Sequence, residues 1–278
     1  MSITMEWGTI SSASLLGMVL SLLASVGLPL LLLVLVYKKA RAKMSSFFIG
    51  CGVFVVFALV LEQMMHAAVL AATGTLLTSS TILYGLYGGL AAALFEETGR
   101  LVAMKFLMKK TLNRQNALMY GVGHGGIEAI IIVGLAYINN LVTSVMINSG
   151  AIQISVSTLD ESMQHATFEQ LSALWELPAW QFYMAGVERT LAITLHIALS
   201  ILVYKAVKTG QKRFWLLAFV LHFAVDFLTV TISGFGAPVW LVEVFLLVVV
   251  VLIARYTCRQ YREDAVQPTN EAEMASET

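Results

Sequence analysis

The stretch GLYGGLAAALFEETGRLVAMKFLMKK, residues 85–110, places two glutamates and an arginine inside an otherwise apolar segment. The segment is long enough for a membrane-spanning helix, which needs about 20 residues. Glu96, Glu97 and Arg100 would then lie within the hydrocarbon, where each charged side chain costs at least about 2.5–3.5 kcal/mol. Charges that are kept at such a cost indicate a function.

The composition of the whole chain is that of a membrane protein. Of its 278 residues, 58% are hydrophobic and only 12% are charged, and the mean hydropathy is +0.81. A soluble domain carries about 25% charged residues. The sequence therefore predicts an all-α, multi-pass integral protein of the cell membrane. The net charge is zero and no basic patch stands out, so we expect the lipid bilayer and no nucleic acid as a partner.

Seven apolar stretches are long enough to cross a bilayer. They lie near 11–37, 46–72, 81–108, 116–138, 180–204, 214–232 and 238–255. If each stretch crosses, all lysines and arginines except Arg100 and Arg189 fall on one side or at its border. The positive-inside rule then places the N-terminus outside and the C-terminus in the cytosol.

The polar segments complete this topology. Residues 1–262 are predicted to form a single membrane domain, and 139–179 an outer loop. Within this loop, apolar residues recur at helical spacing from Met163 to Trp175, which favours a short helix at the outer interface over a lid that covers the substrate. The polar and acidic tail, 263–278, is predicted to be disordered.

Four of the apolar stretches place an ionisable group at the same depth. The groups are Glu96, His124, His196 and His222, which lie nine or ten residues from Lys105, Arg114, Lys205 and Arg213, respectively. At about 1.5 Å per residue, each group lies roughly 14 Å from the cytosolic boundary. Unrelated polar groups would not agree in depth this closely, so the pattern predicts one shared site.

Three imidazoles and a carboxylate at one depth are typical of a divalent metal site, and zinc (Zn²⁺) fits best. Catalytic zinc has three protein ligands and an open position for water, and a nearby carboxylate can accept a proton from that water. Glu128 follows His124 by four residues, and Asp226 follows His222 at the same spacing. Each acid shares a helix face with its histidine, so it can orient a ligand on a facing helix or complete the coordination.

Other polar residues in the apolar stretches have different expected roles. Arg100 and Arg189 share helix faces with Glu96 and His196, respectively, and can neutralise acids around the site. Glu62 and His66 lie nearer the outer end of their stretch, and we expect a structural pair. The glycines of GVGHGGIE, residues 121–128, are predicted to let helices approach closely.

Four motifs together resemble the YhfC-type intramembrane metalloproteases, which are distant relatives of the CAAX prenyl endoprotease and bacteriocin-processing superfamily. They are EETGR (96–100), HGGIE (124–128), the Glu188, Arg189 and His196 segment, and HFAVD (222–226). The resemblance covers about 83–227. It implies that Glu96 is the catalytic base, with Glu97 as an auxiliary acid and Arg100 beside them. It also implies that His124, His196 and His222 hold zinc.

The chain departs from the superfamily pattern at two points. Its arginine falls one residue early, in EExxR rather than EExxxR, and Asp226 stands where the CAAX enzymes carry asparagine. Both departures bear on which acid is the base and which is a ligand.

The sequence therefore predicts a zinc-dependent endopeptidase that cleaves a membrane-embedded or membrane-associated peptide or protein in the cytosolic half of the bilayer. Water would reach the site from the cytosol. One alternative is a metal or proton transporter that uses the same cluster, although the outer half offers such a path only Glu62, His66 and Glu243. Another is a non-catalytic immunity or scaffold protein with a protease fold, against which the retained Glu96 argues.

Overall fold

The computed structural model describes residues 6–266, and within this range the chain forms nine helices and no strand. In chain order they are α1 (Ser12–Ala40), α2 (Met44–Thr73), α3 (81–107), α4 (Arg114–Asn148), α5 (Ala151–Ser157), α6 (Glu161–Glu176), α7 (Ala179–Thr209), α8 (Lys212–Gly234) and α9 (Val239–Val266). The predicted all-α fold is confirmed.

Six of these helices are long and apolar enough to cross a membrane, namely α1, α2, α4, α7, α8 and α9. They coincide with six of the seven predicted spans. The remaining predicted span, near 81–108, is helix α3. It is continuous, but Glu96, Glu97 and Arg100 make it less apolar than the six.

The segment that was predicted as an outer loop, 139–179, is mostly helical. Helix α4 continues to Asn148, beyond the predicted end of its span at 138, and α5 and α6 follow. The short helix predicted from the sequence is α6. Asp160 caps it, accepting hydrogen bonds from the Ser162 hydroxyl at 2.6 Å and the Met163 amide at 2.9 Å. These hydrogen bonds hold the pKa of Asp160 below its ordinary value, and the bond from Ser162 contributes most.

Four of the long helices contain a wide, π-type turn. These turns lie at Leu23–Gly27 in α1, Val55–Glu62 in α2, Ala103–Leu107 in α3 and Ile130–Gly134 in α4. A π-type turn is rare and is held by hydrogen bonds between residues five apart. It therefore rotates the following side chains away from the positions that a regular helix would give them.

The chain divides into two compact units, a finer division of the single domain predicted over 1–262. The first comprises the residues up to Leu28 together with Ala129–Thr190. Its apolar core contains Ile10, Met18, Ile147, Leu174 and Phe182. Ser21 ties two helices of this unit together, since its hydroxyl donates to the Phe182 carbonyl and accepts from the Gly186 amide.

The second unit comprises Pro29–Glu128 together with the chain from Leu191 onward. In its core, Leu199 and Leu202 of α7 pack with Met104 of α3, and all three are fully buried. Helices α3 and α8 approach closely at Gly89, where an added Cβ would lie 3.0 Å from the Phe227 nitrogen. All the sequence positions of the predicted site except Arg189 lie in this unit.

The predicted start of the tail, at 263, lies inside helix α9. Glu263 pairs with Arg259 at 2.9 Å, and Asp264 pairs with Lys208 at 2.6 Å and accepts from the Tyr204 hydroxyl at 2.8 Å. These contacts hold the last turn of α9. Residues 267–278, the rest of the predicted tail, lie outside the described residues.

Candidate metal centre

Four helices of the second unit bring the predicted polar residues together. Helix α3 supplies Glu96, Glu97 and Arg100, α4 supplies His124 and Glu128, α7 supplies His196, and α8 supplies His222 and Asp226. The ring centroids of His124 and His196 are 5.0 Å apart, and those of His196 and His222 are 5.4 Å apart. The convergence that the common depth predicts is therefore observed.

Glu96 lies between two of the histidines. Its Oε2 atom is 2.8 Å from His124 Nε2 and 3.7 Å from His196 Nδ1. His124 is fully buried and its ring stacks on Tyr120, with centroids 5.8 Å apart. The carboxylate and the imidazole thus orient each other inside the helix bundle.

His196 is held from two sides. Arg100 Nη1 donates to the His196 carbonyl at 3.1 Å, and Arg100 Nη2 lies 3.1 Å from Nδ1. Because a guanidinium has no acceptor, Nδ1 must accept this hydrogen bond, and the neutral ring carries its proton on Nε2. Nε2 lies 2.6 Å from Glu128 Oε2. Glu128 therefore contacts a histidine on a facing helix, which is one of the two arrangements that the sequence leaves open.

His222 lies between two carboxylates. Its Nδ1 atom is 2.9 Å from Glu97 Oε1, and its Nε2 atom is 3.4 Å from Asp226 Oδ2. Glu97 Oε1 is also 3.5 Å from Arg100 Nη2, and the Glu97 carbonyl accepts from Trp215 Nε1 at 3.1 Å. Glu97 thus connects α3 to α8 and fixes the orientation of the His222 ring.

The donor set fits a divalent metal such as zinc. Glu96, His196 and His222 are buried, and each offers one ligand atom within 4.8 Å of the other two. Two imidazole nitrogens and one carboxylate oxygen form a ligand set that zinc accepts. The set predicted from the sequence has His124 in place of Glu96. Both sets share His196 and His222, and the contact between His124 and Glu96 makes the two residues neighbours at this position.

The charge balance also favours a cation. Four carboxylates, Glu96, Glu97, Glu128 and Asp226, face the histidines, and Arg100 lies beside Glu97. Buried carboxylates are costly unless they are paired and hydrogen-bonded. A divalent ion at the shared donor atoms would neutralise two of these negative charges.

Glycines of α4 allow α7 to approach the site. A Cβ at Gly121 would lie 2.7 Å from the Ile197 Cα, and a Cβ at Gly125 would lie 3.0 Å from both the Ile193 Cα and the His196 Cβ. The close approach predicted for these glycines is therefore confirmed. It brings the His196 ring next to His124 and Glu128.

The remaining predicted residues are Arg189, Glu62 and His66. Arg189 belongs to the first unit, where it forms an ion pair with the adjacent Glu188, and its role toward the acids of the site stays a prediction. Glu62 and His66 form the predicted pair, with Oε1 and Nε2 3.2 Å apart. The Tyr87 hydroxyl completes this second group, at 2.7 Å from His66 Nδ1.

Tyr120 and Trp215 support the site but were not predicted from the sequence. Tyr120 precedes His124 by four residues, and Trp215 precedes His222 by seven, so each shares a helix face with its histidine. This spacing was the available signal. Aromatic residues are common in apolar helices, however, and the spacing does not separate these two from the others.

A helical membrane bundle with a buried cluster of imidazoles and carboxylates defines a multi-pass membrane protein with a candidate metal centre. The family model described as "YhfC intramembrane metalloprotease" matches residues 24–246. The chain belongs to this family.

A curated relative has the same family name. The "Uncharacterized membrane protein YhfC" of Bacillus subtilis (strain 168) is 37% identical over 197 residues, which cover 70% of this chain and 76% of the relative. Its name places it in a membrane and gives no activity. No solved structure matches the chain.

Proposed function

We propose that this protein is a zinc-dependent endopeptidase that hydrolyses peptide bonds within the membrane. The observation that carries the proposal is the buried group of Glu96, His196 and His222, whose donor atoms lie within 4.8 Å of one another in a chain of an intramembrane metalloprotease family. The substrate would be a membrane-embedded or membrane-associated peptide or protein, because the site lies among apolar helices.

His196 and His222 would hold the metal, together with His124 or Glu96 as the third ligand. When bound, a zinc ion supplies Lewis acidity, which polarises the scissile carbonyl and makes water easier to deprotonate. We assign His124 as the third ligand and Glu96 as the base, as the sequence predicts. The contact of 2.8 Å between these two side chains keeps the carboxylate beside the ligand set in either assignment.

The chain's own residues would then move one proton. Glu96 accepts a proton from the attacking water as the new carbon–oxygen bond forms, and it passes the proton to the leaving nitrogen as the carbon–nitrogen bond breaks. Glu97 and Arg100 act as positioning residues. Glu97 orients His222 through Nδ1, and Arg100 holds the His196 backbone carbonyl and lies against the edge of its ring.

The proposed topology has seven spans, including α3, with the N-terminus outside and the C-terminus in the cytosol. Its support is the placement of the basic residues. The site would then lie in the cytosolic half of the bilayer, roughly 14 Å from its boundary at about 1.5 Å per residue.

Cysteine labelling tests this topology. In a chain with Cys51→Ser and Cys258→Ser, an impermeant thiol reagent added outside should label Ser162→Cys in α6 and should miss Lys110→Cys. Permeabilised cells should label both positions, which controls for accessibility. External labelling of Lys110→Cys would overturn the orientation and the cytosolic placement of the site.

Metal analysis together with a cleavage assay tests the function. Purified protein should contain about one zinc per chain, and it should cleave a co-expressed membrane reporter. A chelator should abolish cleavage, and added zinc should restore it. Bound metal with no cleavage of any reporter would favour the transporter alternative. Cleavage that persists in metal-free protein, or in a variant carrying both Glu96→Gln and Glu97→Gln, would overturn the proposal.

A further inference from the structure

A second polar feature of the second unit lies at the N-terminal end of α3 and the C-terminal end of α8. It is a cavity of about 560 Å³, which we call the hydroxyl groove. Its lining includes the hydroxyl side chains of Thr78, Thr81, Tyr84, Thr229 and Ser233. None of the described residues that line it is charged. The volume is within the range of about 300–1,000 Å³ that is usual for ligand sites.

The hydroxyl groove shares a face of α8 with Asp226, a residue of the candidate metal centre. Thr229 and Ser233 follow Asp226 by three and seven residues, so all three lie on one face of α8. The Asp226 side chain is 33% exposed, whereas those of Glu96 and Glu97 are 9% and 0% exposed. The cluster is thus most open beside Asp226. At about 1.5 Å per residue, Ser233 lies about 10 Å further along the helix axis.

The lining of the groove suits a peptide backbone. A hydroxyl both donates and accepts hydrogen bonds, as a peptide group does, and a charge-free lining does not select a charged ligand. The Thr229 hydroxyl oxygen is buried and has no hydrogen-bond partner among the described residues, although buried polar groups are normally hydrogen-bonded. Within a membrane, backbone groups of an unwound segment must also find partners.

We propose that the hydroxyl groove binds an unwound segment of the substrate peptide next to the scissile bond. The proposal rests on the proposed function and extends it to substrate recognition. The segment enters past Asp226, and its backbone N–H and C=O groups exchange hydrogen bonds with Thr229, Ser233 and Thr81. A peptide that leaves its helical conformation near the cleavage site is favoured over one that stays helical.

Kinetics with matched variants test the groove. The probe is a purified membrane-spanning reporter peptide with a Gly-Pro pair in its spanning segment. Thr229→Val and Ser233→Ala remove hydroxyls with little change in volume, and together they should raise KM about threefold to tenfold with kcat unchanged. Thr73→Val is the control, because the Thr73 hydroxyl bonds the Val69 carbonyl outside the groove. An all-leucine reporter should be a poor substrate for every variant.

Cross-linking supplies a readout that needs no turnover. A chain with Ser233→Cys, Glu96→Gln, Cys51→Ser and Cys258→Ser is mixed with the Gly-Pro reporter carrying single cysteines scanned along its spanning segment. Under mild oxidation, disulfides should form at one short stretch of the reporter. Thr73→Cys in place of Ser233→Cys should give none.

The outcomes separate the two proposals. Cleavage with an unchanged KM in the groove variants and no cross-link would overturn the groove and leave the protease standing. Cross-links without cleavage by any variant would support peptide binding in the groove and reject the proposed protease function. The absence of both cleavage and cross-links would reject both.

Discussion

His222 and His66 look alike in the sequence, since each lies in an apolar helix with a carboxylate four residues away, Asp226 and Glu62, respectively. Their surroundings differ. The nitrogens of His222 face two carboxylates from two helices, and the His196 ring lies 5.4 Å away. The nitrogens of His66 face Glu62 and a neutral phenol, that of Tyr87, and the His66 side chain is 23% exposed.

The difference shows what distinguishes a candidate metal centre from a structural pair in this molecule. Residue type and i,i+4 spacing are the same in both places. What differs is the number of helices that contribute. Four helices converge on the candidate metal centre, whereas two helices supply Glu62, His66 and Tyr87. Several negative charges around several imidazoles call for a cation, whereas one carboxylate beside one imidazole is balanced by that imidazole.

Removing one histidine from each place should give the largest contrast. We expect His222→Ala to lose both bound zinc and cleavage, because one of the proposed ligands is gone and Glu97 and Asp226 are left facing each other. His66→Ala, the matched control, should keep both. The measurement is zinc content per chain together with reporter cleavage. Full zinc content in folded His222→Ala protein would remove His222 from the ligand set.

Replacing one glutamate in each place should give the next largest effect. Glu96→Gln keeps the shape of the side chain but cannot accept a proton, so cleavage should fall by about 10²–10⁴-fold. Zinc content should be unchanged if Glu96 is the base, and it should fall if Glu96 is a ligand. Glu97→Gln should be milder, since Glu97 acts through His222. Glu62→Gln is the matched control.

Cleavage that survives Glu96→Gln in full would move the role of base to Glu97. If Glu62→Gln reduced the rate of cleavage as much as Glu96→Gln does, the two carboxylates would belong to one functional group. The Glu62 carboxylate contacts His66, which in turn contacts Tyr87, so we expect its removal to alter cleavage only slightly.

The sequence predicts which residues meet better than it predicts how they pair. The common depth of Glu96, His124, His196 and His222 identifies the four helices of the cluster, because rise per residue alone sets depth along a helix. Pairing depends also on rotation about each helix axis. The packing of the helices against one another sets this rotation, and a helical wheel drawn from one helix alone does not give it.

Two contacts illustrate this limit. The sequence cannot say that Glu128 contacts His196 rather than His124, its neighbour on α4, because both arrangements satisfy the same spacing. It also cannot show that Arg100 bonds His196, since the two are 96 residues apart. Similarly, hydropathy locates the end of an apolar run but not the end of its helix. The extension of α4 to Asn148 was therefore not predicted.

The smallest expected effect concerns the Tyr87 hydroxyl, which accompanies His66 in the structural pair. Tyr87→Phe removes only the oxygen that lies 2.7 Å from His66 Nδ1, so zinc content and cleavage should be unchanged. The free energy of unfolding should fall by about 0.6 kcal/mol, the average that a side-chain hydrogen bond contributes between membrane helices. Tyr84→Phe, one turn earlier on α3, is the control for stability. The measurement is unfolding in mixed micelles, with zinc analysis of the same samples. A loss of zinc in Tyr87→Phe would contradict the distinction between pair and metal centre, because a phenol that bonds only His66 would then influence the ligand set.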